Sequence, residues 1–136
     1  MNKETVNIVW LKRDLRSQDH APLLKAEREG IPYHIIYLFE PSSINYPDTS
    51  IRHLKFVYHS LLVINKKLAP FNRRVEVFYA EAQMVFESMQ KKFDIRSIFS
   101  YQESGTQQSW NRDKLIKSFC KTHQIDWQES QRDGIL

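Results

Sequence analysis

Short β-type runs and helical apolar stripes alternate strictly along this sequence, and that alternation constrains the fold more than any other feature. Residues 6–11 (VNIVWL) are mostly β-branched or large and apolar, which predicts a buried strand. Asp19 is placed to cap a helix over 20–29, which Gly30 and Pro32 stop. Residues 33–39 (YHIIYLF) predict a second strand, broken by Glu40-Pro41-Ser42-Ser43. Beyond a loop over 43–49, Leu54, Tyr58, Leu61, Leu62 and Leu68 predict the inner face of a long helix over 50–69, ended by Pro70. Residues 74–79 (RVEVFY) alternate as a third strand, and Ala82, Val85, Phe86, Met89 and Phe93 stripe a helix over 81–93. Residues 96–101 (RSIFSY) give a fourth strand. Leu115, Ile116, Phe119 and Cys120 mark a helix over 108–122, and 125–129 (IDWQE) gives a short fifth strand.

Strand–helix alternation with short connections requires parallel strands joined by right-handed crossovers. The expected fold is α/β: a doubly wound five-stranded parallel sheet of order 3-2-1-4-5, Rossmann-like, with helices on both faces. In that order the chain changes direction between strands one and four. Open α/β sheets bind their ligands outside the carboxyl ends of the strands at such a switch point. The loops over 12–20 and 101–108 flank it, and they are the most polar loops of the chain.

Composition narrows the function classes. The 136 residues make one domain, 1–136, and hydrophobic residues at 41% can fill its core. No run approaches the ~18 apolar residues of a membrane span. The first residues, MNKET, lack the basic-then-apolar order of a signal peptide, so a cytoplasmic protein is expected. The single cysteine, Cys120, excludes an internal disulfide and a cysteine-rich metal site, and its apolar stripe makes it a core residue. A net charge of +4, from 20 basic and 16 acidic side chains, permits an anionic partner without requiring one. With three glycines there is neither G-x-G-x-x-G nor G-x-x-x-x-G-K. His34, His53, His59 and His123 show no metal-ligand spacing, and no hydrolase triad is apparent, so neither a metal site nor a catalytic centre is expected. Trp10, Trp110 and Trp127 read as core or rim packing.

The first polar loop carries Lys12, Arg13, Asp14, Arg16, Asp19 and His20. Such a cluster can serve an anion or a chromophore, or a docking face. It can equally be a set of Arg–Asp pairs with a helix cap that shapes the turn. The guanidinium groups of Arg13 and Arg16 favour phosphate or planar rings. In the second loop, Glu103 can accept hydrogen bonds from a heterocycle, and Gly105 lets backbone approach a ligand. Arg112 either points back at that loop or pairs with an acid.

Five motifs, in order over about residues 7–135, resemble the N-terminal α/β domain of the photolyase/cryptochrome family. The first is Trp10-Leu11-Lys12-Arg13-Asp14-Leu15-Arg16, followed by Asp19-His20-Ala21-Pro22-Leu23. The second is Tyr37-Leu38-Phe39-Glu40-Pro41. The third comprises Ser50, Arg52, His53 and Phe56, then Ser60-Leu61. The fourth is Ser100-Tyr101-Gln102-Glu103-Ser104-Gly105 with Asn111-Arg112-Asp113. The fifth is Trp127-Gln128-Glu129 with Gln131 and Gly134-Ile135.

This resemblance implies a light-harvesting, antenna-type domain that binds a folate, a deazaflavin or a flavin. In full-length members that pigment passes excitation to FAD in a separate helical domain, which repairs pyrimidine dimers in damaged DNA or senses blue light. The implied partners are the protein's own C-terminal FAD-binding domain and, through it, DNA, with no membrane. That helical domain is expected to be absent from this chain, which stops at Leu136 where the interdomain linker should begin, so the chain alone should not be catalytic. The residues carried over as cofactor-binding are Arg13, Asp14, Phe39, Glu40, Arg52, Gln102, Glu103 and Arg112. Leu11 stands where Phe is frequent in the family, Ser17 where Leu is frequent, and the loop Gln102-Glu103-Ser104-Gly105 matches neither a folate-type nor a deazaflavin-type loop. Two other readings share the topology: a nucleotide-binding protein of the universal-stress type, which predicts a Gly-rich phosphate loop after strand four, and a ligand-free docking module.

Overall fold

The computed structural model describes residues 3–12, 21–41, 51–71, 73–101 and 107–130, with backbone alone at 21, 51–54, 71 and 107–109. The elements run β1 (Glu4–Leu11), α1 (Ala21–Glu29), β2 (Tyr33–Leu38), α2 (Ile51–Leu68), β3 (Val75–Phe78), α3 (Ala82–Lys92), β4 (Phe93–Tyr101), α4 (Gln107–His123) and β5 (Asp126–Ser130). A turn of 3-10 helix, Ala69–Phe71, follows α2. The strands form one five-stranded sheet in the order β3-β2-β1-β4-β5. All four pairings are parallel. This is the expected doubly wound α/β fold.

β1 lies at the centre, and every residue from Val6 to Leu11 is buried. A parallel strand covered on both faces reads as a near-continuous apolar run, and VNIVWL does so with the one exception of the buried Asn7. Its side chains still divide by the two-residue period. Ile8 and Trp10 join Ile36, Ile98, Phe86 of α3 and Phe119 of α4 on one face. Val9 and Leu11 join Ile35, Phe99, Ala26 of α1 and Val57, Leu61 and Ile64 of α2 on the other. Trp10 and Phe86 meet edge to face with centroids 5.1 Å apart. Each large side chain buried this way stabilises the fold by roughly 1.5–3 kcal/mol.

Helix ends follow local chemistry. Gly30 terminates α1 at φ +74, a left-handed conformation that glycine adopts without a Cβ penalty. α4 ends in a double hydrogen-bonded cap: Ile125 N–H donates to the Cys120 carbonyl at 2.8 Å and Gln124 N–H to the Lys121 carbonyl at 3.4 Å. That cap forces Gln124 to φ 57. Cys120 is buried, and burial pushes its thiol up to about 11, as fits a core residue.

Four expectations are corrected. The inner stripe of α2 is Val57, Leu61 and Ile64, with Leu68 partly buried, while Tyr58 and Leu62 are exposed. This helix carries apolar side chains round most of its circumference, and the sheet selects the stripe spaced at 57, 61, 64 and 68. Phe93 belongs to β4 rather than the preceding helix. Its backbone is extended, β4 pairs there with Glu4 of β1, and its ring lies 4.8 Å from that of His34. In α4, Ile116, Phe119 and Cys120 are buried but Leu115 is exposed, because Asp113 and Ile116 take the inward positions of the first turns. Trp110, expected to pack in the core or at its rim, is exposed, with Lys114 Nζ 4.4 Å from its ring centre.

Candidate functional site

The carboxyl edge of the sheet gathers four buried or nearly buried charged side chains from sequence-distant elements. Lys12 is the first residue beyond β1. Glu40 lies two residues beyond β2. Arg112 and Asp113 sit in the second turn of α4. Lys12 Nζ donates to Asp113 Oδ2 at 3.4 Å. Arg112 Nε donates to Asp113 Oδ1 at 3.0 Å, and its Nη2 stands at the same distance. Arg112 Nη1 donates to Glu40 Oε1 at 2.8 Å. Among the described residues, two cations thus face two carboxylates, the kind of pairing a desolvated cluster needs.

Glu40 makes a second bond that fixes its position. Its Oε2 accepts the Ala82 N–H at 3.2 Å. Glu81, the residue that precedes α3, makes no side-chain cap. The first N–H groups of a helix need acceptors, and its positive end favours a carboxylate. Glu40 therefore ties the end of β2 to the start of α3 and, through Arg112, to α4.

The floor of this network is aromatic. Trp10 is 2% exposed and the Arg112 Cζ lies 5.0 Å from its ring centre. Lys12 Nζ lies 4.5 Å from the same ring and 5.2 Å from that of Trp127. The two indoles are 5.7 Å apart. Trp127 Nε1 donates to Ser100 Oγ at 3.0 Å, which fixes the ring against β4.

The structure brings together two of the sequence-derived candidates, Glu40 and Arg112, and shows that Arg112 pairs with acids. Phe39 is elsewhere: its ring meets Tyr37 at 5.0 Å and packs toward the α1–α2 face, away from the network. Arg52 falls in the first turn of α2, where only backbone is described. Arg13, Asp14, Gln102 and Glu103 lie outside the described residues. The ring contacts of Trp10 and Trp127 with cations, and the Lys12–Asp113 pair across 101 positions, carry no signal in a linear reading. Away from this edge, His34 pairs with Glu76 at 2.6 Å. Among the described residues no group of three His, Cys, Asp or Glu is placed to hold a metal, and no helix is long and apolar enough to cross a membrane.

Comparison with known proteins gives a consistent result. The family model described as DNA photolyase matches residues 7–136. Cryptochrome-1 of Aedes aegypti is 25% identical over 122 residues, covering 85% of this chain and 22% of its own. The archaeal photolyase of Sulfolobus tokodaii, solved with two FAD molecules and an implied light-harvesting cofactor, superposes with a TM-score of 0.82 at 28% identity. That match covers 93% of this chain and 29% of the archaeal one. The Synechocystis cryptochrome, with a TM-score of 0.84 at 18% identity over 96% of this chain and 28% of its own, shows the same fold. The chain thus spans less than a third of the relatives it matches.

Proposed function

Because the chain belongs to the DNA photolyase family, we propose that it is the N-terminal, antenna-type α/β domain, 1–136, of a photolyase or cryptochrome-like flavoprotein. The observation that carries this reading is the likeness, over 93% of this chain, to an archaeal photolyase solved with two FAD molecules and an implied novel light-harvesting cofactor. A pigment of folate, deazaflavin or flavin type then sits at the carboxyl edge of the sheet. When bound it supplies light absorption and passes excitation to FAD in a C-terminal helical domain, where dimer repair or blue-light sensing takes place. DNA is met through that second domain.

The described part of the edge suits a planar heterocycle: Lys12 and Arg112 pair with Asp113 and Glu40 in one network. The floor beneath it is two indoles. In this reading Glu40 and Arg112 orient the edge, holding α3 and α4 against the ends of β1 and β2. Arg13, Asp14, Gln102 and Glu103 supply the loop contacts to the pigment, with Phe39 and Arg52 walling the α2 side. Neither the universal-stress reading nor a ligand-free module is favoured, since the family match runs through the whole sheet.

The test is to purify the protein and record its absorption spectrum, then to add FAD, riboflavin and a reduced folate in turn and separate free from bound by ultrafiltration. Retention of at least one pigment, with a shifted near-ultraviolet or visible band, is expected. A protein that retains none of them but is stabilised by ATP in a thermal-shift assay would overturn the reading.

A further inference from the structure

Both indoles described near the carboxyl edge, Trp10 and Trp127, lie against cations. Trp10 has Lys12 Nζ at 4.5 Å and Arg112 Cζ at 5.0 Å from its centre. Trp127 has Lys12 Nζ at 5.2 Å and Lys117 Nζ at 6.0 Å. Indoles are good one-electron donors, and an excited flavin- or deazaflavin-type pigment is a strong one-electron acceptor. Beside each other they would react: one electron leaves the indole and fills the vacancy in the excited pigment. The products are an indole radical cation and a pigment radical anion. No bond or proton moves, and the excitation is lost when the pair recombines. An antenna with bare indoles in its floor would waste the light it absorbs.

Resting on the antenna reading above, we propose that Lys12 and Arg112 protect the pigment's excited state by making Trp10 and Trp127 harder to oxidise. A cation over a neutral indole is attracted by the ring quadrupole. Once the ring becomes a radical cation the same contact turns into repulsion between like charges. At these separations in a buried site, that repulsion is large compared with thermal energy. Glu40 and Asp113, which pair with the same cations at 2.8 to 3.4 Å, oppose part of it. Removing a cation and removing a carboxylate must therefore act in opposite directions. A network that merely held the helices in place would not separate them, since either loss loosens the same packing.

The experiment uses the Trp110→Phe protein, which leaves Trp10 and Trp127 as the remaining indoles of three. Photogenerated tris-bipyridine ruthenium(III) in solution serves as oxidant, and the yield of indole radical is read by transient absorption. Lys12→Met should raise that yield by about threefold or more, and Glu40→Gln should lower it below the parent. Yields that stay unchanged, or that move the same way in both variants, would overturn the proposal. If Lys12→Met does not fold, Arg112→Gln removes the other cation over Trp10 and carries the same expected sign.

A second arm adds riboflavin and FAD as probes and measures the fluorescence lifetime of the bound fraction. The lifetime should shorten in Lys12→Met. A lifetime equal to the parent's overturns this inference alone. Failure of both probes to bind in every form sinks the antenna reading itself.

Discussion

Replacing Glu40 with alanine severs two bonds of the edge network at once. Oε1 loses Arg112 Nη1 at 2.8 Å, and Oε2 loses the Ala82 N–H at 3.2 Å. The carboxylate is 9% exposed and Arg112 18%, so solvent does not replace the lost partner well. Stranding one member of a buried pair costs about 3–5 kcal/mol. Arg112 is not wholly stranded, since Asp113 still holds its Nε and Nη2 at 3.0 Å, so the low end of that range applies. Loss of the cap at the start of α3 adds about 1 kcal/mol. The expected destabilisation is therefore about 3–4 kcal/mol, a large part of the roughly 5–15 kcal/mol available to a domain. Glu40→Gln leaves one acceptor oxygen where the carboxylate used two; with that oxygen on the Ala82 N–H, the amide NH2 faces Arg112 Nη1 donor to donor, so the ion pair is lost and only the cap, about 1 kcal/mol of the total, is kept. Urea unfolding followed by circular dichroism reads both, as a lower midpoint at unchanged slope. A Glu40→Ala midpoint within an equivalent of about 0.5 kcal/mol of the parent would refute the network.

Phe86→Ala should be more costly still, by about 3–5 kcal/mol in the same assay, because the ring is fully buried between Trp10 and Phe119. Gln124→Gly should stabilise the fold by about 0.5–1 kcal/mol, since it removes a side chain from a left-handed position while keeping the cap of α4; a lower melting temperature would contradict this. Cys120 makes stability fall at alkaline pH. Its thiol is raised in the folded protein from 9.0 to about 11, so its contribution is complete below pH 9.0 and is lost as pH climbs toward 11. Urea midpoints measured across that window should fall, and Cys120→Ala should flatten the fall by about 2–3 kcal/mol at most. Rapid alkylation of folded protein near neutral pH would show that the thiol is not buried.

Most of the fold was legible in the sequence because its signal is local. Strand and helix periods, Gly30 with Pro32, and Pro70 each report on a few neighbouring residues, and alternation then leaves one common strand order. The misassigned face of α2 shows where local signal ends. Phe56, Tyr58, Leu62 and Val63 are as apolar as Val57, Leu61 and Ile64, and only the fit against the sheet decides which set is buried. Phe93 fits the α3 stripe by spacing, yet pairing of β4 with the first residues of β1 takes it into the strand. At the proposed site, polarity and topology point to the carboxyl edge, and Glu40 and Arg112 are candidates that the structure brings into contact there. Their contact spans 72 positions, and that of Lys12 with Asp113 spans 101, so the network itself could come only from tertiary structure. The cap that Glu40 provides for α3 is likewise invisible, because a helix start is read from its own flanking residues.

The central claim is that a planar pigment binds at the carboxyl edge of this sheet, and titration followed by nitrogen–proton NMR tests it most directly. With FAD or riboflavin added, the indole Nε1–H signals of Trp10 and Trp127 and the amides of Lys12, Glu40, Arg112 and Asp113 should shift together and saturate. Amides at the opposite edge, such as Glu4 and Phe93, should stay in place. Shifts confined to that opposite edge, or no saturable shift with either compound or with a reduced folate, would contradict the account.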